Sequence, residues 1–191
     1  MKKILAAVLG GIVIWMWGAV FHMLTPFGVV DFKNAVPGEQ AVMSAMKSEF
    51  TQGDGIYILP SMNLGEHGDE AATKAWGEKA KAGPYAWVVY KANGLPGDPA
   101  AMGPQILHQL LTSIIAAFLM AAVLGAVPGS YSKRVGIAVL MGLFAWLSIS
   151  LPQFNWYYFP RNFAFVGALE HAVGGLLAGL IIARMVKPAN A

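Results

Sequence analysis

The chain has 191 residues, 57% of them hydrophobic and only 12% charged, with no cysteine and a formal net charge of +3. Ordinary soluble domains carry roughly 25% charged residues, so this balance describes an integral membrane protein. Lacking cysteine, the chain has no disulfide framework, thiol chemistry or cysteine-ligated metal. Its mild basicity follows from a topological charge bias and is no sign of nucleic-acid binding.

Four apolar stretches carry that composition: Ile4–Leu24, Gln105–Val127, Val135–Leu151 and Phe163–Val186. A helix needs about 20 residues to cross about 30 Å of hydrocarbon, and the third stretch lies at the lower limit. Lys2, Lys3, Lys133, Arg134, Arg184 and Lys187 flank one side of these spans, with no acid among them. The segment Thr25–Pro104 holds six lysines against nine acids. The positive-inside rule then puts both termini in the cytoplasm and 25–104 outside, as expected for a bacterial inner-membrane protein. Ile4–Leu24 resembles a signal peptide only superficially. Its length, Trp15 and Trp17, and the ending Phe21-His22-Met23-Leu24 predict an uncleaved first span.

The expected fold is therefore a mainly α, four-transmembrane-helix bundle with a small α/β extracytoplasmic domain between helices 1 and 2. Residues 1–24 form the first helix, 25–104 the domain and its tether, and 105–127, 135–151 and 163–186 the remaining helices. Within the domain, Glu39–Phe50 and Asp69–Ala82 predict helices, and Gly55–Leu59 and Tyr85–Lys91 predict strands. Val42, Met46 and Phe50 share a face, and Met43 also falls on the apolar side, so these methionines are expected in a core. Gly94–Pro104 reads as a tether. Pro152–Pro160 reads as an aromatic hairpin whose Trp156, Tyr157 and Tyr158 suit the headgroup region.

The fourth span holds the only acid of the apolar segments. Glu170 and His171 lie inside it, where a central charge costs roughly 2.5–3.5 kcal/mol on insertion scales. Gly167, His171, Gly175 and Gly179 recur every four residues, with Glu170, Gly174 and Ala178 on an adjacent stripe. Small residues at this spacing let helices approach closely, so Gly167, Gly175 and Gly179 are candidate packing positions. Gln105, His108, Gln109 and Thr112 form a polar stripe in the second span. Glu170, His171 and Gln109 are then a candidate intramembrane polar site, with Gln109, Thr112, Ser148 or a backbone carbonyl as partners for Glu170.

His22 and His108 invite a haem or transition-metal reading, since imidazole ligates both. Counting about 1.5 Å per residue from the charged flanks puts these two at one level and His171 about 8–9 Å deeper. With that spacing a single three-histidine shell would need strong tilt or an irregular helix, which leaves His22 and His108 as candidate haem ligands. A lone interfacial histidine needs no ligand, and His108 can hydrogen-bond across the bundle, so absence of a cofactor is the simpler expectation. Glu66, His67 and Asp69 could hold a cation weakly, but acids at a helix start are favoured by the dipole alone. Met23, Met43, Met46, Met62 and Met102 offer thioethers suited to Cu(I), though core packing accounts for Met43 and Met46.

No Gly-rich phosphate loop, HExxH, G-x-S-x-G or serine–lysine arrangement is present, and no matched broken spans suggest a large transporter. The chain is thus expected not to be an enzyme. The segments LPQFNWYYFPRNF (151–163) and ALEHAVGGLLAGLIIAR (168–184) resemble those of uncharacterised small bacterial four-helix membrane proteins. GGIVIWMWGAVFHML (10–24) and EQAVMSAMKSEFTQGDGIYILPSM (39–62) have a similar character. The resemblance implies architecture and no activity. Binding, accessory or structural work through a membrane-protein partner or a homo-oligomer leads. A haem- or metal-binding redox protein and a small oligomeric permease using Glu170 are the alternatives.

Overall fold

The computed structural model describes residues 1–33, 36–61, 68–95 and 97–188. The chain divides into two compact units, Met1–Lys33 with Asp98–Ala191, and Asn34–Gly97. The first unit holds four helical stretches long and apolar enough to cross a membrane: Lys2–Leu24, Gly103–Ala126, Tyr131–Tyr157 and Arg161–Met185. This is a multi-pass membrane protein.

Helix α1 (Lys2–Leu24) ends at Thr25, whose hydroxyl donates to the Phe21 carbonyl at 2.6 Å and accepts from the Phe27 amide. A 3-10 turn, Pro26–Val29, folds back over the helix end. Gly28 is required there, because a Cβ on it would stand 2.3 Å from the His22 Cα. In the second unit, α2 (Glu39–Glu49), β1 (Gly55–Leu59), α3 (Glu70–Ala82) and β2 (Ala86–Tyr90) follow in order. The chain then returns through a 3-10 turn at Pro99–Met102 to α4 (Gly103–Ala126).

Ser130 caps α5 (Tyr131–Ala145) by accepting from the Lys133 amide. A π-helical turn, Trp146–Ser150, joins α5 to α6 (Leu151–Tyr157), and α7 (Arg161–Met185) completes the bundle. The third stretch therefore runs well beyond Val135–Leu151, and the expected hairpin at Pro152–Pro160 is largely helix. A π turn explains how the helix passes a proline. Leu151 bonds back five residues to the Trp146 carbonyl, and Pro152 sits in the first turn of α6, where a missing N–H is tolerated. Tyr158, with φ of 58°, ends the helix in the left-handed region.

The four spans pack as an open row, α4–α1–α7–α5, in which α4 barely touches α5. Glycine sets each close contact. A Cβ on Gly11 would lie 2.4 Å from the Ile114 Cα, and one on Gly175 would lie 2.5 Å from the Ala138 carbonyl oxygen. The buried core occupies the end of the bundle where the chain termini meet, and includes Ala6, Leu124, Val135, Ala138, Ile182 and Val186. Arg134 is buried in this core at 4% exposure. Its guanidinium donates to the carbonyls of Leu124 (3.3 Å), Val186 (2.7 Å) and Ala183, so α5 clasps the C-terminal ends of α4 and α7. A cation there also complements both helix dipoles.

The second unit is built on an antiparallel pair, with Gly55 opposite Tyr90 and Leu59 opposite Ala86. Phe50 stacks on Tyr57 at 3.9 Å between ring centroids and meets Tyr90 edge-on at 5.1 Å. Asp54 ties the strand ends, accepting from the Ala92 amide at 2.8 Å and from the Lys91 ammonium. The expected methionine core on α2 is not found. Met43 is 52% and Val42 49% exposed, and of that apolar face Phe50 alone is buried. Two strands give too little surface to cover a helix face.

Candidate functional site

The far half of the bundle, away from Arg134, positions Glu170. Gly10 of α1 packs against Ile182 of α7, and the two helices run antiparallel from that contact. His22 and Glu170 each lie twelve residues beyond it, about 18 Å along either axis at 1.5 Å per residue. The two side chains meet there: His22 Nε2 stands 3.1 Å from Glu170 Oε1. One turn lower, Trp17 Nε1 donates to the Glu170 carbonyl at 2.9 Å. Phe21, fully buried, packs edge-on to the His22 ring and stacks on Phe27 of the returning turn, while the imidazole itself is exposed.

This arrangement corrects two expectations. Glu170 pairs with His22, while Thr112 and Ser148 donate back to carbonyls of their own helices. The depth order also changes: Glu170 is level with His22, and His108 is the histidine out of line. Gly10 meets Ala117 and Gly11 meets Ile114, which places His108 three to five residues lower than His22, roughly 5–7 Å. Counting from the charged flanks failed because basic side chains reach the interface from different turns, whereas glycine contacts fix the true register.

His171 faces α5. Its Nδ1 donates to the Gly167 carbonyl at 2.8 Å, so in the neutral ring Nε2 is an acceptor. A Cβ on Gly142 would lie 2.2 Å from the His171 carbonyl oxygen, so α5 and α7 touch backbone to backbone here. The two stripes of α7 thus serve different neighbours. Glu170 and Gly174 face α1, and His171, Gly175 and Gly179 face α5. Gly167 faces the π turn, where a Cβ on it would stand 3.3 Å from Trp146 Cδ1.

A cavity of about 410 Å³ opens where the four helices diverge. Its polar lining comes from Trp17, Gln109, Glu170 and His171; the rest is apolar, including Leu119, Met120, Met141 and Ala145. The volume falls within the ~300–1,000 Å³ usual for small-molecule sites. Gln109 lines the cavity, and its carbonyl receives the Thr112 and Ser113 hydroxyls. Among the described residues, the Gln109 amide and His171 Nε2 have no hydrogen-bonding partner.

His108 is exposed and does not line the cavity. Among the described residues, no group of three histidine, cysteine or acidic side chains could hold a metal ion. With His22 engaged by Glu170 and His108 out of line, the arrangement argues against the haem or metal alternative. The Glu66–His67–Asp69 candidate and Met62 fall partly or wholly outside the described residues.

Three contributors were not singled out in the sequence. Trp17 counted only against a signal peptide, and Arg134 only as one more flanking charge. Asp31 carries no signal in the sequence, yet its Oδ2 accepts from the Phe163 amide at 3.2 Å and caps α7. No protein-family model, curated protein or solved structure matches the chain. The resemblance to small four-helix membrane proteins therefore rests on architecture alone.

Proposed function

We propose that this chain is a non-catalytic binding component of a bacterial inner membrane, with cytoplasmic termini and residues 25–104 outside. The bundle presents one polar intramembrane site, formed by Glu170, His171 and Gln109 and braced by His22. The observation that carries this reading is the His22–Glu170 contact at the rim of the four-helix cavity. A carboxyl in an apolar span is costly even near the helix end, where Glu170 stands level with His22, and a packing role would be met equally well by an apolar side chain. Gly167, Gly175 and Gly179 serve by holding α7 against α5 and so keeping the site in shape.

Native mass spectrometry of the chain released from its own membrane tests this. Wild type carries a small-molecule adduct, and Ala116→Trp, which fills the cavity from α4, lacks it while melting at a similar temperature. A wild type without any adduct, or a variant that keeps it, contradicts the reading.

A further inference from the structure

We propose that the cavity takes a small amphiphile with a protonated amine as its head, entering sideways between α4 and α5. The inference rests on the reading of the cavity as a ligand site and adds the class of ligand. Glu170 is the only acidic residue of the four apolar segments, and no lysine or arginine lines the cavity. The basic groups of the bundle lie elsewhere: Arg134 is buried at the terminal end, and Arg161 stands over the Phe165 ring. The groups left without partners are mostly acceptors. Three are acceptors, the second carboxyl oxygen of Glu170, His171 Nε2 in the tautomer that donates from Nδ1, and the Gln109 amide oxygen, against one donor group, the Gln109 NH2. An ammonium brings three donors and no acceptor, which matches this set better than a hydroxyl or a carboxylate does.

Trp17 adds a π face along the wall while its N–H is occupied by the Glu170 carbonyl. Leu119, Met120, Met141 and Ala145 supply the apolar remainder, with methionine adaptable to varied shapes. The way in follows from packing. No glycine contact draws α4 to α5, so the cavity faces the bilayer between them.

The test uses the full chain in phosphatidylcholine nanodiscs and equilibrium dialysis of three radiolabelled probes. These are 4-phenylbutylammonium, the corresponding alcohol and the corresponding carboxylate, each corrected for binding to empty nanodiscs. The ammonium binds saturably, one per chain, and about tenfold or more tighter than either analogue. Glu170→Gln loses about tenfold for the ammonium and little for the alcohol, with an unchanged melting temperature confirming its fold. Gln109→Leu, which leaves the carboxyl in place, weakens the ammonium by a smaller factor. Equal binding of ammonium and alcohol, or no saturable binding of the ammonium, overturns the ligand class. The adduct lost in Ala116→Trp would then still stand for the cavity itself, so the two failures are distinguishable.

Discussion

Trp17 and Gly174 face each other across α1 and α7, with the indole Cδ1 3.5 Å from where a Cβ on Gly174 would stand. The indole reaches over α7 there and donates to the Glu170 carbonyl. That bond ties α1 to α7 one turn from the carboxyl that His22 meets.

Because that distance is ordinary van der Waals contact and the position is helical, Gly174→Ala should be tolerated and stabilise by about 0.4–1 kcal/mol. Gly142→Ala should be different. Its Cβ would meet backbone oxygen of α7 at 2.2 Å, which α5 can relieve only by moving away. A loss of about 1–3 kcal/mol is expected. Thermal melts followed by tryptophan fluorescence in nanodiscs compare the two; equal effects would contradict the assigned contacts.

Arg134 should behave as a clasp. Arg134→Met removes three donors from carbonyls at the ends of α4 and α7. Bonds from a charged donor contribute about 1.5–3 kcal/mol each, part of which water or headgroups would return, so a net loss of about 2–3 kcal/mol is expected. Arg134→Lys should fall between, since an ammonium keeps the charge but not the fork. A methionine variant as stable as wild type would show the clasp to be dispensable.

The sequence made the four spans, the inserted α/β segment and the glycine stripe legible, because hydropathy and residue size act locally. It did not disclose who pairs with Glu170. That depends on the register between α1 and α7, fixed by Gly10 against Ile182, and no count from helix ends recovers it. The π turn at Trp146–Ser150 was hidden for a related reason: a proline reads as a helix end unless the backbone before it widens. Arg134 was visible only as a charge, since nothing local separates a buried arginine from the exposed Lys133 beside it.

The second unit should have its own acid sensitivity. The hydrogen bond from Lys91, then that from the Ala92 amide, holds the Asp54 carboxyl below its ordinary value of 3.8. A lowered carboxyl favours the folded form above that ordinary value, and the benefit is lost as pH falls through the lowered one. The protection of the Ala86–Tyr90 amides, relative to their intrinsic exchange rates at each pH, should therefore hold steady from pH 7 to about 5 and fall at more acid pH. Asp54→Asn should show faster exchange already at pH 7 and a weaker acid response. An unchanged acid response in that variant would assign the effect to another group.

The pairing of His22 with Glu170 is the claim on which the site depends, and nitrogen NMR of the imidazoles in bilayers reads it directly. With the histidine rings isotopically labelled, Glu170→Gln should shift the His22 Nε2 resonance markedly and leave His108 where it is. A His22 resonance identical in wild type and Glu170→Gln would mean that the two side chains do not meet, and the proposed site would fall with them.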